Sequence, residues 1–260
     1  MSSLKAVLWD VDGTLAETER DGHRVAFNLA FAEHGLRWQW DEARYGDLLR
    51  ITGGRERLLL DMSTRGDAPA LPDEREALAR GVHATKNRHY AALVQAGSLP
   101  LRPGVRELMD ECTAQGLRMG IVTTTSRSNV QALMQQHLGA RWRERFACVV
   151  CGEDVARKKP DPQAYQQALR ELKLSALQAV AIEDSPGGVA AARAADVPVV
   201  VALSTYFEAA TFEGAVAIGP GLHQRRGWRP AMAPHGGEGP VRLDDIRAWC
   251  QQMDLVSQFG

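Results

Sequence analysis

Apolar positions along the chain fall into two textures. Residues Ala6–Trp9 form an unbroken apolar run closed by polar positions and Gly13, which predicts a short strand buried on both faces. Over 20–34 apolar residues recur at Val25, Phe27, Leu29, Ala30 and Phe31, and Gly35 follows, which predicts a helix and its stop. Helical patterns continue around 41–50, 54–62 and 73–95, the last weakened at Gly81. No strand pattern interrupts this block. After Pro100 the texture alternates. Helices are predicted over 103–115, 128–137, 162–172 and 187–194. Strands are predicted over Arg118–Val122, 148–151, 179–182, Val199–Ala202 and 215–218. Residues 219–240, rich in Gly, Pro and Arg, read as irregular, and 243–253 as a last helix.

Strands alternating with helices predict an α/β fold with a parallel sheet covered on both faces. The strand at Ala6–Trp9 has no partner nearby and must join the later sheet, which makes the helical block an insertion. The expected organisation is an α/β core domain of residues 1–16 and 97–260 with a helical cap domain of residues 17–96. A chain of 260 residues with 45% hydrophobic content has room for both. Charge adds mainly exclusions: 31 basic against 32 acidic residues give a net charge of −1, so no global field points to nucleic acid or an anionic membrane. Apolar runs such as 197–203 are too short to span a bilayer. The N-terminus enters a strand at once, leaving no room for a signal sequence. Cys112, Cys148, Cys151 and Cys250 complete no zinc pattern and suit a reduced compartment, so the expected location is cytoplasmic.

Candidate chemistry sits at the strand ends, where parallel α/β sheets bind ligands. Asp10 and Asp12 follow the first strand and Gly13 lets the chain turn; alone, "DVDG" reads equally well as a solvated acidic turn. The strand at Arg118–Val122 ends in Thr123, Thr124 and Thr125, and the strand at 179–182 in Glu183, Asp184 and Ser185. Lys158 and Lys159 precede the helix at 162. Brought to one crevice, these carboxylates require a cation, and an all-oxygen set favours Mg²⁺. The lysine and hydroxyls, Thr124 included, suit an anion. Mg²⁺ beside an anion clamp implies phosphoryl chemistry, with one aspartate attacking phosphorus and the other handling a proton.

"DVDGT", Thr123, Lys159 with Pro160, and "EDS" resemble, in order, the four motifs of the haloacid dehalogenase superfamily, over about residues 4–220. The resemblance implies a haloacid-dehalogenase-like Rossmannoid parallel sheet with an inserted small helical cap. It makes Asp10 the nucleophile that forms an aspartyl-phosphate and Asp12 the acid and then the base. It places Thr123 on the transferred phosphoryl, with Lys159 bridging that group to Asp10. Metal would be held by Asp10, the Asp12 backbone carbonyl and Asp184, with Glu183 beside it. "DVDGTLAETE", "HRVAFN", "TGGRER", "VTTTS" and "CGEDVARKKPDP" are similar to the CbbY-like group of sugar-bisphosphate phosphatases from carbon-fixing organisms. That likeness implies hydrolysis of xylulose-1,5-bisphosphate, an inhibitor of Rubisco, by a monomer. It places Glu17, His23, Thr52, Gly53, Gly54 and Arg55 on substrate or the cap seat. The alternatives are a β-phosphoglucomutase-type phosphomutase, disfavoured by Thr14 after "DVDG", and a phosphoglycolate or broad sugar-phosphate phosphatase. A non-catalytic phosphate-binding regulator is disfavoured because every motif side chain is present.

Several residues also have plain readings. "TGGRE" is on spacing alone an ordinary Gly-rich helix entry with a solvated arginine. His23 reads equally as a structural histidine and Glu17 as a helix-start acid. Trp38 and Trp40 read as core. Arg44, Arg50, His34, His83, His89 and His137 read as surface or packing residues, and Lys158 as a solvated neighbour. Lys86, the only lysine of 17–96, reads as exposed, which argues against an imine-forming phosphonate-cleaving enzyme.

Overall fold

The structure, a computed structural model, describes residues 4–230 and 238–257. Residues 1–3 and 258–260 of the expected core domain, and 231–237 of the segment read as irregular, lie outside them. Six strands, β1 (Ala6–Trp9), β2 (Arg118–Val122), β3 (Cys148–Val150), β4 (Ala179–Glu183), β5 (Val199–Ala202) and β6 (Ala217–Gly219), form one sheet in the order β3-β2-β1-β4-β5-β6. Every pairing is parallel. The first strand does join the later ones, with Leu8 opposite Gly120 on one side and Ala181 on the other. The chain steps outward from β1 to β2 and β3, then crosses back to β4 on the other flank of β1. That reversal opens a crevice beyond the carboxyl ends of β1 and β4.

Helices α1 (Arg24–Glu33), α2 (Glu42–Leu48), α3 (Gly54–Ser63) and α4 (Pro72–Gln95) lie between β1 and β2. They are followed by α5 (Val105–Ala114), α6 (Arg127–Leu138), α7 (Gln163–Leu172), α8 (Pro186–Ala194) and α9 (Leu243–Ser257). Alternate strand residues feed opposite faces, as a period of two requires. Val7, Trp9, Ile121 and Ile182 pack with Leu108, Val130 and Trp249. Ala6, Leu8, Val150 and Val201 pack with Tyr165, Leu172 and Val189. A third cluster gathers Phe27, Phe31, Trp38, Trp40, Tyr45, Leu58 and Met62 from α1–α4 and their links. Trp40 is fully buried and donates to Asp61 at 2.9 Å, so the packing role expected of it holds. Among the described residues no helix is long and apolar enough to cross a membrane.

Departures from the pattern are local. The helix expected over 20–34 opens with a wider π-type turn, Glu19–His23, which buries Gly22 and His23. A side chain at Gly22 would press into Leu99 and Tyr90. The last strand starts at Ala217 rather than 215, with Val216 N–H donating to Val199 O at 2.8 Å on the approach. Residues 219–230 fold back onto the sheet: Ile218 bridges Arg229, and Trp228 stacks on Trp249 at 4.7 Å. Gly104 makes this possible at the start of α5. Its φ is +88°, and a Cβ there would lie 2.3 Å from the Leu222 carbonyl carbon. Gly104→Ala is predicted to cost at least ~1–2 kcal/mol from the left-handed backbone alone. Chemical denaturation checks this; an unchanged midpoint would contradict the packing of 219–230 on α5.

Candidate active site

Backbone pairing carries the first aspartate to the mouth of the sheet. The Asp10 N–H donates to Ile182 O at 3.0 Å, extending the ladder one residue past β1. The chain then turns sharply, with Gly13 N–H on Ala16 O at 2.8 Å and Gly13 at φ +84°. A Cβ at Gly13 would sit 2.0 Å from Asp184 Oδ2, so only glycine lets this loop pass the carboxylate after β4. Ser204 Oγ donates to that same oxygen at 2.6 Å. On the other flank, Thr123 N–H donates to Val150 O at 2.9 Å and its hydroxyl accepts from Thr125 N–H. Lys159, 4% exposed, closes the set. Its ammonium donates to Asp10 Oδ1 at 2.7 Å, Glu183 Oε1 at 2.6 Å and Val122 O at 2.7 Å. Tyr165 OH donates to Glu183 Oε1 as well.

Carboxylate oxygens of Asp10, Glu183 and Asp184 lie within 4.8 Å of one another, all buried. Burial drives the Asp10 carboxyl well above the usual range against the pull of Lys159, and Glu183 and Asp12 push it further. Burial, then Asp10 and Glu183, raise Asp184 likewise, against the Ser204 bond. Burial would lower Lys159, but Asp10 and Glu183 reverse that and hold it above the usual lysine range. Three crowded carboxylates with one ammonium and an all-oxygen donor set fit a hard divalent cation. Within the set Glu183 differs: Oε1 serves Lys159 and Tyr165, and Oε2, buried and unpartnered, faces Gly188 of α8.

Asp12 turns its side chain the other way. Its Oδ1 accepts from Thr18 Oγ1 at 2.5 Å and meets His23 Nε2 at 2.8 Å. Burial raises this carboxyl, and His23 and Thr18 more than offset it, holding it at about 2. Two cavities meet at Asp12, Glu19, Arg57 and Thr124. The inner one, about 390 Å³, includes Asp10, Asp184, Lys159 and Thr52 in its wall. The outer one, about 600 Å³, includes His23, Gly53, Gly54, Arg55, Lys86 and Lys158.

The structure therefore gathers Asp10, Thr123, Lys159, Glu183 and Asp184 at the strand ends and puts Thr124 and Asp12 between the cavities. Glu17 lines neither cavity and faces Arg102 at 3.5 Å. Arg55 stands at the rim, its side chain 45% exposed and paired with Glu76 at 3.0 Å. The deeper guanidinium is Arg57, which donates to Tyr45 OH at 2.6 Å, while Tyr45 OH donates to Glu19.

Sequence reading missed Arg57 and misplaced two cations, Lys86 and Lys158. Lys86 is not exposed: it is 3% accessible, its ammonium lies over the Phe27 and Tyr90 rings, and burial, opposed by Asp12, lowers it to about 8. The signal was present, since Val82, Lys86 and Tyr90 repeat at four-residue spacing on one buried face of α4. His83 lines the outer cavity, with burial and then Lys86 lowering it to about 4. Lys158 is not a solvated neighbour but pairs with Glu56 at 2.6 Å.

Residues 4–196 match the haloacid dehalogenase-like hydrolase family. The chain is 44% identical over 246 residues to the plasmid-borne protein CbbY of Cupriavidus necator, covering 95% of this chain and 96% of that one. It is 33% identical over 198 residues to a phosphoglycolate phosphatase of Rhodospirillum rubrum, covering 76% and 78%. A crystal structure of mutant CbbY from Rhodobacter sphaeroides in complex with xylulose-(1,5)bisphosphate superposes with a TM-score of 0.76. Its identity is 41%, with 82% of this chain and 92% of that one covered. Sheet order, clustered strand-end carboxylates and these likenesses agree: the chain is a phosphatase and belongs to the haloacid dehalogenase-like hydrolase family.

Proposed function

We propose that this phosphatase is Mg²⁺-dependent and removes one phosphate from a small sugar bisphosphate, xylulose-1,5-bisphosphate, giving xylulose 5-phosphate. The carrying observation is Asp10: one carboxylate oxygen is held by Lys159 at 2.7 Å, and the residue stands in the wall of the inner cavity beside Asp184. Asp10 attacks phosphorus and forms an aspartyl-phosphate, while Lys159 neutralises charge on Asp10 and the arriving group. Thr123 and Thr124 are assigned to the transferred phosphoryl. Asp12 gives a proton to the leaving oxygen and later takes one from water. Its ionised form suits the second step, and His23 Nε2 lies 2.8 Å from its Oδ1. Mg²⁺, held by Asp10, Asp184 and the Asp12 backbone carbonyl with Glu183 beside it, would supply positive charge to the phosphoryl oxygens.

Residues 17–96 act in this reading as a cap domain over a core of 1–16 and 97–260, shutting out bulk water. The outer cavity favours a bisphosphate. Arg55, Arg57, Lys86 and Lys158 face it, and Gly53 and Gly54 open α3 toward it. The relative bound to xylulose-(1,5)bisphosphate supports the same choice. The reading includes a monomer working in cytoplasmic carbon fixation without nucleic-acid or membrane partners. Thr14 is 1% exposed and lines neither cavity, so it does not support the choice of water over a sugar hydroxyl as acceptor. Phosphate release without any bisphosphate activator separates the phosphatase from a mutase.

A phosphate-release panel with Mg²⁺ tests the substrate. Xylulose-1,5-bisphosphate is expected to exceed ribulose-1,5-bisphosphate, phosphoglycolate and β-glucose-1-phosphate; equal rates would refute the assignment. Asp10→Asn is expected to abolish turnover while keeping ligand binding, and normal turnover in that variant would rule out the covalent route. Lys158→Ala is expected to raise KM for the bisphosphate about 10–100-fold, the loss of one charge-assisted hydrogen bond of ~1.5–3 kcal/mol. KM for a monophosphate should move far less. Metal binding has its own pH signature. Asp10 and Asp184 are raised in the metal-free chain, so they stabilise it at low pH and that contribution is lost as pH rises through their shifted values. A bound cation needs both ionised and offsets this loss, so the Tm gain on adding MgCl₂ should be larger at about pH 8 than at about pH 5. Thermal melts at both pH values check it, and equal gains would count against the site.

A further inference from the structure

The chain leaves the sheet through 10–17 and returns through 99–104, and the two crossings pair. Ala16 bridges Leu101, and Arg102 N–H donates to Leu15 O at 2.8 Å. The Arg102 side chain, 12% exposed, turns inward from this crossing. Its Nη1 donates to the Gly13 carbonyl and, at 3.1 Å, to Ala202 O. Its Nη2 donates to Leu203 O at 2.5 Å, and its Nε faces Glu17 Oε1 at 3.5 Å. These acceptors belong to two loops that meet at Asp184. Gly13 follows Asp12 and touches Asp184; Leu203 precedes Ser204, whose hydroxyl bonds Asp184 Oδ2 at 2.6 Å.

We propose that Arg102 is a positioning residue for the cation-holding side of the active site, setting the spacing between the Asp12–Gly13 loop and the Ser204–Asp184 pair. The inference rests on the Mg²⁺-dependent reading above. A planar guanidinium suits the task because it donates in several fixed directions at once and keeps its charge at any working pH; an ammonium offers no such fork. Through Glu17 and Leu15 the same residue ties that spacing to the segment leading into α1, so movement of 17–96 is felt at the carboxylates. Arg102 lines neither cavity, which separates its effect from substrate contact. Metal affinity and kcat should fall while KM stays.

The experiment uses the full chain with Arg102→Lys and Arg102→Gln. Binding of Mn²⁺ alone is followed by electron paramagnetic resonance, beside steady-state kinetics on p-nitrophenyl phosphate and thermal melts. Expected are about 10–100-fold weaker Mn²⁺ binding in Arg102→Lys, the usual scale for losing a group that orients a metal ligand, and a lower kcat with KM within about twofold. Arg102→Gln, which retains amide donors, should show the same pattern. Wild-type Mn²⁺ affinity in either folded variant, even with a lowered Tm, overturns the proposal, as does a change confined to KM. Were the wild-type chain itself to bind no Mn²⁺ and release no phosphate, the functional reading would fall. If it does both and the variants match it, only the role of Arg102 falls.

Discussion

One buried ammonium organises the molecule. Lys159 is shared by Asp10, Glu183 and the end of β2, and each of those groups belongs to a different part of the chain. Removing one partner of such a buried pair typically costs about 3–5 kcal/mol, because the other charge is left without compensation. The loop before α7 is thereby locked against β1, β2 and β4. The same ammonium touches two of the three buried carboxylates, and burial first, then their mutual repulsion, pushes Asp10 and Asp184 toward protonation. The fold thus carries a standing electrostatic deficit at the mouth of its central strands. In the proposed function a cation and a phosphoryl group would complete it.

That deficit explains which parts of the molecule were legible in sequence. Strands β1, β4 and β5 are buried on both faces and read as unbroken apolar runs, and the strand-end residues then declare themselves by charge alone. Asp10, Lys159 and Asp184 were readable because nothing apolar tolerates an unpaired charge so close to a core. The residues of α3 and α4 were harder. Lys86 sits on a helix whose polar and apolar residues mix, and only its alignment with Val82 and Tyr90 betrays burial. Arg57 was passed over for Arg55 because both follow the same glycines. What separates them is helical phase: Arg55 points to the rim and Glu76, while Arg57 turns into the seam with Tyr45. Phase relative to a distant wall is a tertiary quantity, absent from the local pattern. The fold-back of 219–230 was illegible for a similar reason, since it depends on Trp228 finding Trp249.

The Tyr45, Glu19 and Arg57 network shows how the helical wall is kept in register with the strand ends. Tyr45 donates to Glu19, Arg57 donates to Tyr45, and all three come from different segments. Burial raises the Tyr45 hydroxyl well above its usual value, so it remains a donor at working pH. The Glu19–His23 turn, wound more widely than an α-helix, brings Glu19 to this network and His23 to Asp12 in a single step. A regular helix would advance these side chains by a different angle, so one of the two contacts would be lost.

The two cavities differ in sign, and the difference bears on direction of binding. The inner one holds the carboxylates, where an anion is admissible only with a cation beside it. The outer one is lined by Arg55, Arg57, Arg80, Lys86 and Lys158 and also by Asp12, Glu19, Glu56 and Glu153, and Lys158 already has an anionic partner in Glu56. On the proposed function a second phosphate would compete for Lys158 without metal, whereas the reacting phosphate would settle beside Asp10 only once the negative charge there is offset. Asp12, Glu19, Arg57 and Thr124, shared by both walls, lie where the two cavities meet. In that reading a monophosphate would engage the Asp10 end alone and leave Lys158 paired with Glu56. On the proposed function, this arrangement would set a bisphosphate along the seam with its second phosphate toward Lys158.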